Sequence, residues 1–439
     1  MSQHTHDPKS SFRYTVAPRA FSPVTVRTAP NARCTIRPEG ASESEALVVY
    51  ADPDGLVRFH ARPSVESKEV ARLTIESHSA GAVTRHGLEL RADFEPHPDM
   101  PAPPDDEPAP TGTVRAALSA DEMVRLSDEQ LAERGHSPRP GRDHPRALRA
   151  WQRAARVPVT MVRPHTVVRP DITHGKSRVQ EGPASSLNWS GFELRRSLRF
   201  GPTGPGPSLA EPYDWVRGRW RVPAATGELQ KAYSSMWVGL DGDGTPDLVQ
   251  AGTESDAVTY AFPWFRLTIA SYYAWTEFLP QQQTSVQVTN FAVRPGDDML
   301  VEVWIGDVGG PPSLAGSQGV FLLTNLTTGV STTVYTPVDN TRVGGSAAVW
   351  IVERPTIIVR PASGIFGNQY GYSDLANYGS AVMSEAYARK ANSARGQGYA
   401  GYLGARMKQI TMIDDGNAVL STVTPLDGES MRFDWKAFA

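Results

Sequence analysis

Cysteine is nearly missing from this sequence. Cys34 is the single one in 439 residues, which excludes an intrachain disulfide and a structural zinc site built on thiolates. Histidine is missing from one whole half: there are ten, and none follows His174. With no G-x-S-x-G elbow and no HExxH spacing either, a Ser-His-Asp triad, a Cys-His pair and a His-ligated metal are excluded from the half beyond it. Long apolar runs are also absent. No window approaches the ~18 apolar residues of a membrane span, and MSQHTHDPKSSFRYTV lacks the apolar stretch of a secretory signal. Charge of one sign is lacking too. The net charge of −3 gives no field that would gather nucleic acid or an anionic membrane.

What the chain has in quantity is turn formers, Gly 38 and Pro 36, which favour short strands over long helices. The reading in order is a polar, disordered tail over 1–13 and a small all-β module over 14–95. The module's Asp-Pro-Asp-Gly (52–55) marks a hairpin, and its Cys34 falls on a strand as a small buried hydrophobe. Residues 96–185 open with a Pro- and Asp-rich linker (96–113) and carry two short helices. One lies over LSADEMVRLSDEQLAERG (118–135), where Ser119/Glu122 and Ser127/Gln130 both match the capping box and Gly135 suits the end. The other lies over about 143–156. Residues 157–185 read as extended loop. The whole segment is either a pro-segment that covers an active site or a plain spacer. From 186 to 439, strand-like runs recur between turns such as RPGDD, NLTTGV and IDDGN, arguing for an antiparallel sandwich or barrel. SGIFGNQYGYSD (363–374) and NSARGQGYAGYLGA (392–405) read as long Gly/Tyr-rich loops.

The chemistry concentrates in two stretches. WVGLDGDGTPDLVQAGTESDAVTYAFPWFRLTIASYYAWTEFLP (237–280) and VWIVERP (349–355) set Asp241, Gln250, Glu254, Glu277 and Glu353 in or beside apolar runs. Burial raises a Glu above its ordinary ~4.3, so such a group takes a proton from water and later returns it. A Gln amide does not titrate but donates to a developing oxyanion. A Glu and a Gln therefore suffice for water attack on an amide carbonyl. DGDGTPD (241–247) reads as an acidic hairpin turn rather than a calcium loop, because the downstream bidentate Glu is not in place.

These runs resemble a known family, the glutamic peptidases or eqolisins (peptidase G1). The resemblance starts at Asn188-Trp189-Ser190-Gly191 and passes through GRWRVP (218–223), WVGLDG (237–242), LVQAGTE (248–254) and YYAWTEFLP (272–280). It goes on through VWIVE (349–353), LANYGSA (375–381) and ITMIDDG (410–416), and so spans 186–439. It implies a sandwich of two antiparallel seven-stranded sheets. It implies Gln250 and Glu353 as the catalytic dyad, with Glu353 the general base and then acid, and Gln250 the oxyanion donor. Trp189, Gly191, Trp237, Asp241, Glu254 and Glu277 would line or support the cleft. The long N-terminal extension looks more like the bacterial members, and Glu254 stands where the family commonly has Asp.

The function expected is therefore an acid-acting endopeptidase. It would be a monomer on polypeptide substrates, with no cofactor or metal and no nucleic-acid or membrane partner. Its localisation is open, since the family is mostly secreted and no signal is visible. The alternative reading is a glycan-binding or glycoside-hydrolysing sandwich with Glu277 and Glu353 as the acid pair.

Overall fold

The computed structural model describes residues 11–95, 111–141, 144–177, 184–195, 198–199, 208–209, 212–306, 317–338, 341, 343–360, 362, 367–390, 398–399 and 407–438. Most of the linker expected over 96–113 and most of the loop over 392–405 lie outside these residues. So does most of the tail, although the first strand, Ser11–Val16, already begins inside 1–13.

The chain is mainly β, as its turn-rich composition implies. In the sandwich, the first sheet runs Val286–Ala292, Arg266–Leu279, Leu248–Ala261, Ala232–Asp241, Ala347–Glu353, Trp189–Arg195, every neighbour antiparallel. The second runs Val330–Tyr335, Gln318–Asn325, Asp298–Gly306, Tyr213–Arg221, Ser380–Lys390, Met431–Trp435, Val419–Pro425, Met407–Ile413. Met407–Ile413 also pairs with Trp189–Arg195 and joins the two sheets at one edge. Between them lies one apolar core that includes Trp220, Val238, Val249, Phe278, Phe321, Trp350 and Val352. Because side chains alternate along a strand, the residues between these face the other way, and in the first sheet they form the site.

The module over 14–95 does not stand apart. Its five-stranded sheet is flanked by a ribbon of Ser22–Arg27 and Leu56–Pro63. Leu56–Pro63 then adds to the edge of Arg266–Leu279, with Ile269 opposite Ala61. Val24, Val57 and Phe59 share a core with Val258, Leu267 and Ile269, so the apolar face of the ribbon is completed by the sandwich. Cys34 is buried on Arg33–Pro38, and Asp52 Oδ1 holds the expected hairpin through the Asp54 and Leu56 amides at 2.9 and 2.8 Å.

The run expected as one helix over 118–135 is two, Glu122–Arg125 and Asp128–Glu133. Both capping boxes form: Glu122 N–H donates to Ser119 Oγ at 3.2 Å and Gln130 N–H to Ser127 Oγ at 3.2 Å. Two N-terminal caps in one run demand two helix starts, and Leu126 turns extended (φ −65, ψ 140) to supply the second. Gly135, at φ +75, ends the second helix, with Gly135 N–H on Ala132 O and His136 N–H on Leu131 O, both 2.9 Å. The third helix, Pro145–Ala155, lays Ala147 and Ala150 against Trp215, Trp304 and Tyr387 on the outer face of the second sheet.

Residues 157–177 are not free loop. Val159–Met161 pairs with Val330–Ser331 at the edge of the second sheet. Thr166–Val168 pairs with Val286–Val288 at the edge of the first. Ile172–Thr173 then pairs with Ile357 and Thr356 as the third strand of a small sheet with Thr356–Arg360 and Gln369–Tyr372. Part of the expected Gly/Tyr-rich loop is thus a strand of that clamp.

Candidate active site

The register of the first sheet brings the expected residues to one face. Glu353 lies opposite both Trp189 and Ser235, Glu254 opposite Ser235, and Gln250 opposite Gly239 and Glu277. Trp237 and Trp275 both lie opposite Gly252. Pairing partners point to one side of a sheet, so these side chains form a single surface. Its apolar part is a cluster of Trp189, Trp237, Leu248, Tyr273, Trp275, Val349 and Ile351 with Ile410.

Within that surface Glu353 and Gln250 are both held. The Glu353 carboxylate accepts from Asn188 Nδ2 at 3.1 Å and from Trp237 Nε1 at 2.9 Å. Gln250 Nε2 donates to Glu277 Oε2 at 3.1 Å, which fixes the amide's orientation. Its Oε1 is buried and has no hydrogen-bond partner among the described residues, an acceptor free to hold a water. Gly191 shares the face opposite Ile351. A Cβ there would stand 2.1 Å from the Trp350 carbonyl oxygen, so its role is close strand packing. Asp241 sits further along, where its carboxylate accepts the Gly345 and Ala347 amides at 2.6 and 2.9 Å and its backbone turns at φ +71. It anchors the 344–347 turn and makes no hydrogen bond to Gln250 or Glu353.

The surface is covered by residues 169–177, and His174 is the centre of the cover. Its ring is fully buried and stacks on Trp275 with centroids 3.5 Å apart and planes at 4°. Nε2 meets Glu254 Oε2 at 2.6 Å and Nδ1 meets Ser285 Oγ at 3.2 Å. The His174 amide donates to Glu277 Oε2 at 2.9 Å, and the Thr173 hydroxyl donates to Glu277 Oε1 at 2.6 Å. The His174 carbonyl oxygen accepts from Gln250 Nε2 at 2.6 Å. Trp189 Nε1 donates to Gly175 O at 3.0 Å, and Asn188 Nδ2 to Gly175 O and Lys176 O at 3.3 Å each. Arg169 pins the upstream end, giving 3.0 Å bonds to both Asp171 oxygens and to Gln287 Oε1 over the Tyr273 ring. Downstream, Ser177 N–H reaches Gly242 O at 3.1 Å and Lys176 Nζ reaches Pro246 O.

Such burial reshapes titration. Desolvation pushes Glu254 and Glu277 each up to about 8. It pushes Glu353 well above the usual carboxylate range, with the nearby Glu277 and Glu254 adding to it. The same desolvation, with Arg169 adding, pushes His174 well below its ordinary value. The 2.6 Å contact of His174 with Glu254 has ion-pair distance, yet both shifts favour the uncharged forms. We read it as a neutral hydrogen bond, since a fully buried pocket penalises two charges more than their attraction returns. Reasoning from the sequence missed His174, because it counted histidines only within the β-rich half. A cavity of about 540 Å³ lies elsewhere, between residues 113–135 and Thr333 and Tyr335 of the second sheet.

The sequence model of the Peptidase A4 family matches residues 203–435, more than half of the chain. The chain belongs to the peptidase A4 family: it is a glutamic endopeptidase, a hydrolase of peptide bonds. That membership sets aside the glycan-active reading of Glu277 and Glu353. Among solved structures, the chain is similar to scytalido-glutamic peptidase with a peptide-based transition state analog, at 18% identity and a TM-score of 0.41. It is similar as well to SCP-B, a member of the eqolisin family in a complex with the tripeptide Ala-Ile-His, at 18% identity and a TM-score of 0.39. Each match covers 57% of this chain and 98% of the other. No curated protein matches the chain.

Proposed function

We propose that the chain is a latent, acid-acting endopeptidase whose dyad is Glu353 and Gln250. Glu353 takes a proton from the attacking water and passes it to the leaving amine. Gln250 holds the water through Oε1 and steadies the oxyanion through Nε2. Trp237 and Asn188 hold the Glu353 carboxylate, and Glu277 aims the Gln250 amide. Residues 157–177 act as a pro-segment that fills the cleft.

The observation that carries this reading is the 2.6 Å bond from Gln250 Nε2 to a backbone carbonyl oxygen lying across the same face as Glu353. An amide donor already set on a peptide carbonyl is what oxyanion stabilisation requires. The test is cleavage of a denatured protein at about pH 3–4, in the acid range where a carboxyl can shuttle protons. Glu353→Gln and Gln250→Ala should each abolish it, and retained cleavage in both variants would overturn the assignment.

A further inference from the structure

The cover is not an arbitrary plug. Around His174 several backbone polar groups are bonded as an extended peptide's would be. The N–H of His174 goes to Glu277, its carbonyl oxygen to Gln250, the next carbonyl to Trp189 and Asn188, and the N–H of Ser177 to Gly242. The Asn188 amide that holds the Gly175 carbonyl also holds Glu353, which places the dyad acid on the side of the residue that follows His174. The peptide unit whose carbonyl meets the dyad amide is therefore the one joining His174 to Gly175.

We infer that the His174–Gly175 bond is the enzyme's own first substrate, and that the pocket around the His174 ring is the subsite for the residue that supplies the scissile carbonyl. The inference rests on the Glu353–Gln250 reading and adds to it a bond and a side-chain preference. The pocket has three walls of different chemistry: the flat indole of Trp275, the carboxyl of Glu254 facing Nε2, and the hydroxyl of Ser285 facing Nδ1. A planar ring with a hydrogen-bonding nitrogen at each side fills it. An aliphatic side chain forfeits both hydrogen bonds, the one to the buried Glu254 among them, and a phenyl ring keeps only the stacking. The preferred substrates are thus peptides with histidine on the acyl side of the cut. In the step itself, water oxygen bonds to the His174 carbonyl carbon as one water proton passes to Glu353. The C–N bond to Gly175 then breaks and that proton moves to the Gly175 nitrogen. The products are a His174 carboxyl terminus and a Gly175 amine.

The test has two arms. The full-length chain is incubated at acidic pH and its products read by intact mass and N-terminal sequencing, with Glu353→Gln in parallel. The trimmed enzyme is then given peptides built on Ile-Thr-His-Gly-Lys-Ser with His, Phe, Leu or Ala in the third position. The expected results are a new N-terminus at Gly175, absent in Glu353→Gln, and kcat/KM for the His peptide, counted on its neutral-imidazole fraction (free pKa ~6.5), at least about tenfold above the Leu and Ala peptides, the usual scale for losing a buried hydrogen bond. In Glu254→Ala the ratio of the His to the Phe peptide should fall toward one. Glu353-dependent cleavage of a denatured protein with no cut after His174, or with no preference for His, overturns this inference and leaves the dyad standing. Loss of all Glu353-dependent cleavage overturns the dyad itself.

Discussion

The imidazole of His174 lies flat on the indole of Trp275, 3.5 Å between centroids and 4° between planes, in a pocket closed by Glu254 and Ser285. A ring from a segment that reads as loop thus completes a surface built by strands some 80 residues away in the chain. The pair links the cover to the site, and the cover's response to pH follows from it.

Below ~4.3, where the carboxyls of the site are protonated in both forms, acid should release the cover through His174. The ring's pKa is held below its ordinary ~6.5 while docked, and released it returns to that value. Protons therefore bind the released form preferentially, and docking loses up to about 1.4 kcal/mol, or tenfold, per pH unit below ~6.5. The carboxyls work in the opposite sense. Glu254 and Glu277, at about 8 in the closed site, and Glu353 beside them hold their protons in the docked form. Their contribution is full below ~4.3 and is lost as pH rises through about 8. Arg169, already paired with Asp171 and near Asp256, stays charged throughout. Opening, followed by hydrogen exchange at 169–177 in a Glu353→Gln background, should rise as pH climbs from ~4.3 to about 8, where Glu254 and Glu277 give up their protons on release, and rise again below ~4.3, where His174 alone sets the slope. Replacing His174 by Gln should flatten the acid limb alone. An acid limb of unchanged slope in that variant would contradict the assignment.

Arg169 should set the depth of latency at neutral pH. Its guanidinium is fully buried, and its removal takes from Asp171 and Asp256 the cation that pairs with them. Breaking such a buried pair costs about 3–5 kcal/mol. Arg169→Ala should therefore cleave a denatured protein at pH 7 faster than the unmodified chain does, while the melting of the sandwich is much less affected. Neutral-pH activity indistinguishable from that of the unmodified chain would show that the cover is held elsewhere.

Gly252 should tolerate no side chain. It lies between Trp237 and Trp275 in the sheet register, and a Cβ would stand 2.2 Å from the Met236 carbonyl oxygen and 2.5 Å from Trp237 Cβ. The backbone would have to part at the centre of a sheet, costing about 1–3 kcal/mol or more. Gly252→Ala should lower the urea midpoint accordingly and reduce turnover further, because the displaced Trp237 indole is a donor to Glu353. A midpoint within experimental error of the unmodified chain would refute the packing argument.

The strands of 186–439 were legible because a polar residue every second position inside apolar runs can only mean two faces. That alternation placed Gln250, Glu254, Glu277 and Glu353 in apolar context before any register was known. His174 was not legible. Ile172–Thr173 is a strand of two residues with no periodicity to read, and its partner, Thr356–Arg360, is far along the chain. The absence of histidine beyond 174 was a true count, but it gave no sign that the site borrows a ring from outside its own domain. The split of the 118–135 helix was legible in principle, because two capping boxes in one run imply two helix starts. The docking of the N-terminal ribbon on Arg266–Leu279 was not, because an edge strand carries no local sign of its partner.

The donor to Glu353 offers the most direct reading of its role as a base. Trp237 Nε1 gives the carboxylate a 2.9 Å hydrogen bond, which favours the ionised form and opposes the upward push of burial. A hydrogen bond to a charged group contributes roughly 1.5–3 kcal/mol, equivalent to about one to two pH units at 1.36 kcal/mol each. Trp237→Phe keeps the ring packed against Trp189 and Trp275 but removes that donor. The Glu353 pKa then rises, and at a given acidic pH less of the base is ionised. In the trimmed enzyme the acidic limb of kcat/KM should move to higher pH by about one unit or more, with the plateau reached above it largely retained. A merely structural role for Trp237 would lower kcat/KM by the same factor at every pH. The position of the limb, rather than the loss of rate, therefore decides whether Glu353 acts as the base.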